Sequence, residues 1–211
     1  VANFLRQVGL DLQDAVDEFG ADLVRLFIVA SATFERVADW KDNQVPQVRS
    51  KLNELEQTFI RAMELGKNQN PLTIEHEWLA QNLLVKLGEA YEAYEKFEFM
   101  TAAQKVFFET LNEVKRFKKV FGMDENPAIL HVLREWVILA SPITTFLAEE
   151  IGEKASFGDL VSRQTLQKPV GKPHADMEGR VQFLEGVLQD VERVRKLVKG
   201  KQPKIIYLYC M

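Results

Sequence analysis

Apolar residues recur every three to four positions along most of the 211-residue chain, which is the spacing of one face of an α-helix. The clearest stripe follows Pro46 and contains Val48, Leu52, Leu55, Phe59, Ala62 and Met63. Similar stripes predict helices that begin near Thr73, Thr101 and Asn126, and a further helix over residues 181–198. Because each stripe needs an apolar partner, we expect an all-α protein whose helices form an up-and-down bundle.

Glycine and proline residues divide these stripes. Gly20 and Gly122 each follow an amphipathic segment, so we expect both to end helices, Gly20 in the left-handed conformation. Pro142 interrupts another stripe, and Ser141 is the expected N-cap of the helix that restarts there. Residues 156–176 contain two glycines and two prolines, which predict an irregular connection.

The pattern changes near the C-terminus. The segment KIIYLYC, residues 204–210, is short, β-branched and aromatic, and these properties predict a short C-terminal β-strand. A single strand is not stable without a partner strand. We therefore expect further sequence after Met211.

Composition narrows the functional class. The chain has one cysteine, Cys210, and no apolar run close to the ~20 residues of a membrane span. These features favour a cytoplasmic protein without disulfides and without a membrane partner. The three histidines are scattered, and no glycine-rich phosphate loop, H-E-x-x-H or G-x-S-x-G motif occurs. We expect no catalytic residue, metal or cofactor in this segment.

Two basic clusters stand out although the net charge is −4. In EVKRFKKVF, residues 113–121, helical spacing places the apolar residues on one face. Lys115, Lys118 and Lys119 fall on the opposite face, with Arg116 at its edge. The second cluster contains Arg193, Arg195, Lys196 and Lys199. Both clusters are candidate contacts for a phosphate backbone, and a solvated helix face is the alternative interpretation.

Several motifs carry a family resemblance. Gly20-Ala21-Asp22, Arg25-Leu26-Phe27 and Asp39-Trp40 follow one another near the N-terminus, and ASPITTFLAEEIGEK spans residues 140–154. In this order they resemble the segment after the Lys-Met-Ser-Lys-Ser loop of class I aminoacyl-tRNA synthetases, in particular the leucine enzymes of archaeal and eukaryotic type. The segment KQPKIIYLYC, residues 201–210, is similar to the start of the archaeal-type C-terminal domain.

The resemblance implies a domain division. Residues 1–40 would be linker helices that follow a catalytic domain, itself expected upstream. Residues 41–176 would form the helical anticodon-binding-type bundle, and residues 177–211 would begin the C-terminal domain. The implied function is docking of tRNA, leucine tRNA by resemblance, for ATP-dependent aminoacylation. ATP with Mg²⁺, and a catalytic domain supplied in cis or in trans, are implied only for the parent ligase.

The sequence also departs from the family pattern. Thr145 and Phe146 replace a proline and a histidine, Gly152 replaces a tryptophan, and Lys168-Pro169 replaces Trp-Pro. These changes suit a divergent orthologue, a paralogue that has lost aminoacylation, or a fragment. The rival functions are a stand-alone tRNA-binding or assembly module and a protein-interaction bundle unrelated to RNA.

Overall fold

A computed structural model describes residues 12–31, 44–65 and 72–197. The predicted strand at 204–210, the Asp39-Trp40 motif and Lys199 lie outside these residues. The described elements are α1 (Leu12–Phe19), α2 (Ala21–Ser31), α3 (Val45–Leu65), α4 (Ile74–Glu95), α5 (Phe99–Ala103), a π-helical segment (Gln104–Glu109), α6 (Thr110–Phe121), α7 (Asn126–Ala140), α8 (Thr145–Lys154), a 3₁₀ turn (Val161–Arg163) and α9 (Ala175–Leu197).

The directions of the central helices follow from two hydrogen bonds. At the start of α4, His76 Nε2 donates to the Asp124 carbonyl just before α7, at 2.8 Å. At the end of α4, the Tyr94 hydroxyl donates to the Leu139 carbonyl near the end of α7, at 3.0 Å. Thus α4 and α7 run in the same direction. The chain returns from the end of α4 to the start of α7 through α5, the π-helical segment and α6. This arrangement confirms the all-α, up-and-down bundle.

Large apolar side chains fill the space between these helices. Trp78 on α4 and Trp136 on α7 are fully buried. The ring of Phe59 on α3 meets Trp136 edge to face, with centroids 5.2 Å apart. Trp136 Nε1 donates to the Val106 carbonyl at 2.9 Å. The π-helical segment therefore supplies an acceptor for an indole N–H that would be costly to bury unpaired.

The ends of the helices confirm some sequence predictions and correct others. Gly20 and Gly122 have φ values of +86° and +61°, as expected for left-handed C-terminal residues. Thr73 is the N-cap of α4, as predicted, and its N–H donates to His76 Nδ1 at 3.3 Å. The helix predicted from Thr101 begins two residues earlier, with Glu98 as its N-cap.

The α4–α5 turn explains that difference. The Phe97 N–H donates to the Tyr94 carbonyl at 3.0 Å, and the Glu98 N–H donates to the Ala93 carbonyl at 2.8 Å. This hydrogen-bond pattern ends a helix through a left-handed residue, here Phe97 with φ +60°. Because the turn is so short, the next helix is already under way when the chain reaches Thr101.

The restart around Pro142 is confirmed, but its N-cap is Thr144 and not Ser141. Proline has no N–H to donate to the Ile138 carbonyl four residues earlier. The Ser141 hydroxyl donates to that carbonyl at 2.8 Å. Ser141 therefore closes the end of α7, and the residue that opens α8 lies three positions later.

The α7–α8 turn is also held by α2. The Asp22 carboxylate accepts hydrogen bonds from the N–H groups of Phe146, at 3.3 Å, and Leu147, at 2.8 Å. Arg25 donates to the Ile143 carbonyl at 3.2 Å and to Asp22 at 2.8 Å. Asp22 thus acts as a cap for α8 from another helix, which gives the Gly-Ala-Asp and Arg-Leu-Phe motifs a structural role.

The segment after α8 is largely irregular, as predicted, and returns along α4. The Glu149 carboxylate accepts hydrogen bonds from the N–H groups of Val161, at 2.8 Å, and Ser162, at 2.9 Å. Farther along, a Cβ on Gly171 would lie 2.3 Å from the Gln81 carbonyl oxygen. The close approach to α4 therefore requires glycine at this position. Helix α9 begins directly after this segment.

Phe97 offers a test of the turn geometry. Its side chain is 66% exposed, so replacement by glycine removes the cost of the left-handed conformation and little packing. We expect Phe97→Gly to increase the free energy of unfolding by about 1 kcal/mol relative to Phe97→Ala, which keeps the strain and removes the same ring. Urea unfolding of both variants measures the difference. Equal stabilities would show that the turn is not strained.

Tyr94 gives a prediction for alkaline pH. Burial raises the pKa of its hydroxyl above the ordinary value of 10.0. The unfolded chain therefore loses this proton at a lower pH than the folded chain, and the free energy of unfolding falls as pH rises above about 10. Tyr94→Phe should cost about 1 kcal/mol at pH 7 through the lost hydrogen bond to Leu139, and should make the alkaline decline shallower.

Urea unfolding at neutral pH and at several values above pH 10 measures both effects. Tyr91→Phe, on the same helix, is the control for the loss of a tyrosine hydroxyl. Parallel declines for the original chain and Tyr94→Phe would contradict the assignment.

Candidate nucleic-acid interface

The structure brings the two basic clusters together. Helix α9 starts beside the first turn of α4, where Ile74 and Met177 line a shared cleft, and then passes the C-terminal half of α6. Lys119 Nζ on α6 lies 3.6 Å from Glu192 Oε1 on α9. The residues from Glu192 to Leu197 are exposed beyond the bundle. Cations that are far apart in sequence therefore lie at one end of the molecule.

Helix α6 has the two faces that its apolar spacing indicates. Val114 and Phe117 are buried in the core. Lys115, Lys118 and Lys119 extend outward, and each side chain is about half exposed. Lys118 and Lys119 also lie in the last turn of the helix, where positive charge complements the helix dipole.

Lys115 shares its charge with α3. Its ammonium lies 2.8 Å from Glu54 Oε1, and Lys51 Nζ lies 3.2 Å from the other oxygen of the same carboxylate. Burial opposes ionisation of Glu54, but hydrogen bonds from Lys115 and Lys51 hold the pKa of that carboxyl below its ordinary value. Two cations thus share one anion, which leaves a net positive charge at this position.

Lys118 has a structural partner. Its ammonium lies 2.6 Å from Glu125 Oε1, and Glu125 is a buried residue at the N-cap of α7. A buried carboxylate without a cation is strongly destabilising. Removal of Lys118 would therefore affect folding as well as any contact with a ligand.

Arg116 lies beneath the surface, and its charge is engaged by three carboxylates. Its Nε lies 2.9 Å from Glu185 Oε1, and its Nη2 lies 2.7 Å from Glu178 Oε1. Glu113 Oε2 is 3.7 Å from Nη1. The guanidinium carbon also lies 5.4 Å from the centroid of the Trp78 ring. We refer to Arg116, Glu113, Glu178 and Glu185 as the Arg116 ion-pair cluster.

The end of α9 carries the most accessible cations. Arg193 Nη1 lies 3.1 Å from Asp190, but both side chains are more than 70% exposed, so this pair is weak. Arg195 and Lys196 are exposed and form no ion pair with any other described residue. We define the basic surface as the outward-facing cations of α6 and α9: Lys115, Lys118, Lys119, Arg193, Arg195 and Lys196.

The basic surface suits a phosphate backbone better than exposed bases. Its cations come from two adjacent helix ends, and charges within a Debye length of ~8 Å act together on a polyanion. Trp78 and Trp136 are buried in the core and cannot stack on bases. Contacts of this kind fix the position of a nucleic acid and carry no sequence information directly.

The acidic partners on α9 were missed by the sequence reasoning. Glu178, Glu185 and Glu192 are spaced seven residues apart, so they share one face of the helix. The structure places this face against Arg116 and Lys119. The seven-residue spacing was a readable signal that α9 packs against a basic helix.

The described residues show neither a metal site nor a membrane-spanning helix. Residues 12–31, 44–65 and 72–197 contain no group of three His, Cys, Asp or Glu side chains that could hold a metal ion. None of the helices described there is both long enough and apolar enough to cross a membrane.

Comparisons with known proteins agree with the fold. Curated relatives include the leucine–tRNA ligases of Methanococcus maripaludis strain S2, 28% identical over 203 residues, and Pyrococcus abyssi, 27% identical over 206 residues. Each match covers 95% of this chain and 21% of the relative, so the chain spans about a fifth of their length.

A solved structure, the ternary complex of Agrobacterium radiobacter K84 agnB2 LeuRS with tRNA and LeuAMS, shares the fold. The TM-score is 0.64 with 21% sequence identity, over 78% of this chain and 22% of that chain. Residues 76–208, more than half of the chain, match the family described as the anticodon-binding domain of tRNA ligase. The chain therefore belongs to the anticodon-binding domain family of tRNA ligases.

Proposed function

We propose that this chain is the tRNA-docking domain of a leucine–tRNA ligase and that its basic surface contacts the tRNA backbone. The observation that carries the proposal is the joining of two basic clusters on a domain of a tRNA-ligase family. The leucine assignment rests on the names of the relatives. In this role the domain forms and breaks no covalent bond, and it holds tRNA in place for a catalytic domain.

The six cations of the basic surface do not contribute equally in this proposal. Lys115 and Lys118 share their charge with Glu54 and Glu125, so they add to the local potential while they stabilise the bundle. Lys119, Arg195 and Lys196 are the principal backbone contacts, because they are exposed and no buried carboxylate among the described residues depends on them for a partner. Arg193 assists them, and we propose Lys199, which lies outside the described residues, as a further backbone contact.

The parent protein would supply the remaining parts. ATP with Mg²⁺ would be bound by a catalytic domain, supplied in cis or in trans, because the relatives are named as leucine–tRNA ligases. Residues 1–40 would connect that domain to the bundle at 41–176, and residues 177–211 would begin the C-terminal domain. The parent would act in the cytoplasm.

A second candidate is a stand-alone or degenerate module of the same family that takes no part in catalysis and acts in tRNA binding or protein interaction. The specific observation in its favour is that cations of α6 are paired within the molecule, so their charge also serves the fold. A protein-interaction module would show no salt-dependent affinity for tRNA, which separates it from the first proposal.

The proposal predicts the effect of neutralising the principal contacts. We expect the triple variant Lys119→Gln, Arg195→Gln and Lys196→Gln to bind a leucine tRNA transcript more weakly. The slope of log K against log salt concentration should become shallower by about two, because each phosphate contact contributes about 0.7 to 0.9. Fluorescence anisotropy over a salt series measures both quantities.

The matched control removes three exposed positive charges elsewhere: Lys96→Gln, Arg134→Gln and Arg163→Gln. It has the same net charge as the test variant, and we expect it to keep the original slope. An unrelated tRNA should show the same salt dependence, because backbone contacts do not read sequence. Equal losses in the two triple variants would contradict the basic surface, and absence of any tRNA affinity in the original chain would contradict the function.

A further inference from the structure

We infer that Arg116 is a positioning residue that holds α9 against α6, so that the basic end of α9 lies beside Lys119. The inference rests on the proposed function for its consequence, namely tRNA affinity. The hold on α9 is a property of the chain alone and can be measured without RNA.

Apolar packing fixes only the first part of α9. Its buried residues are Met177 and Val181, both in the first two turns. Beyond Val181, Phe183 and Val194 are more than half exposed, and the residues from Glu192 onward are all exposed. Among the described residues, no fully buried side chain of α9 follows Val181, and Val187, Leu188 and Val191 are half-buried. The second half of α9 is therefore not anchored in the core, and its side-chain bonds to α6 are the ion pairs of Arg116 and Lys119.

A guanidinium group suits this task. Arg116 Nε and Nη2 approach the two oxygens of Glu185 at 2.9 and 3.0 Å, which is a bidentate pair. Nη2 also reaches Glu178, two turns earlier on the same face of α9, at 2.7 Å. One planar group thus holds α9 at two points along its axis. A lysine ammonium lacks this fork and cannot reproduce the geometry.

The charge balance adds to this effect. Three carboxylates surround Arg116, whose side chain is only 23% exposed. Burial raises the pKa of Glu113, whereas the hydrogen bond from Arg116 lowers the pKa of Glu178. Without the guanidinium, the Glu113 carboxylate on α6 would face those of Glu178 and Glu185 on α9 without the cation that bridges them. Their repulsion would then drive α9 away from α6.

The test measures the position of α9 directly. Spin labels are attached at Gln57→Cys on α3 and Gln189→Cys on α9, two exposed uncharged positions, in a Cys210→Ser background. We expect Arg116→Gln to broaden the distance distribution between the labels. The matched control is Lys105→Gln, which removes one of the two lysines, Lys105 and Lys86, that bridge Glu89 and Glu109 away from α9. It should leave the distribution unchanged.

The second readout is affinity for a leucine tRNA transcript. If α9 without Arg116 spends a tenth of its time in the docked position, the Kd rises about tenfold. Lys105→Gln should show no such rise, and Arg116→Lys should not restore the affinity. Should Arg116→Gln fail to fold, Glu185→Gln removes the bidentate partner and takes its place in both measurements.

The outcomes are separable. A broadened distribution together with weaker tRNA binding supports the positioning role. An unchanged distribution overturns it, whatever happens to RNA affinity, and so does a broadened distribution with unchanged affinity. If the original chain binds no tRNA, the proposed function fails, and the distance measurement alone then decides whether Arg116 holds α9.

Discussion

The side chain of Arg116 connects the two helices on which the proposed interface depends. Surface ion pairs usually contribute little to stability, because solvent screens them and the side chains lose freedom. This guanidinium differs because it is mostly buried, lies over Trp78 and bonds two residues of α9. Helical spacing places Arg116 at the edge of a basic face, but its charge is used within the molecule to bond α9. The outward-facing cations depend on that role for their arrangement.

At the opposite end of the bundle, charged side chains of one helix likewise bond another part of the chain. Asp22 on α2 accepts hydrogen bonds from the first N–H groups of α8, and Arg25 donates to the Ile143 carbonyl in the preceding turn. These residues belong to Gly20-Ala21-Asp22 and Arg25-Leu26-Phe27, two of the motifs that carry the family resemblance. Their spacing of three positions places both on one face of α2. Both motifs therefore join α2 to the turn between α7 and α8.

Sequence periodicity was sufficient to predict the helices and the core, because the residues of one helix alone show which face is apolar and must be buried. It was insufficient where a partner comes from elsewhere in the chain. Thr101 fits a capping box, but the left-handed turn at Phe97 starts the helix earlier. Ser141 is a good N-cap residue, but the Ile138 carbonyl takes its hydroxyl. For the same reason, the pairing of Lys118 with Glu125 could not be deduced from either segment alone.

Lysine footprinting tests the central claim, that cations of α6 and α9 form one surface for tRNA, most directly. The chain is acetylated with and without leucine tRNA at low salt, and the modified residues are identified by mass spectrometry. The account predicts protection of Lys119 and Lys196 together, no protection of Lys96 and Lys172, and loss of protection at high salt. Protection confined to Lys96 and Lys172, or of only one of the two helices, would contradict it.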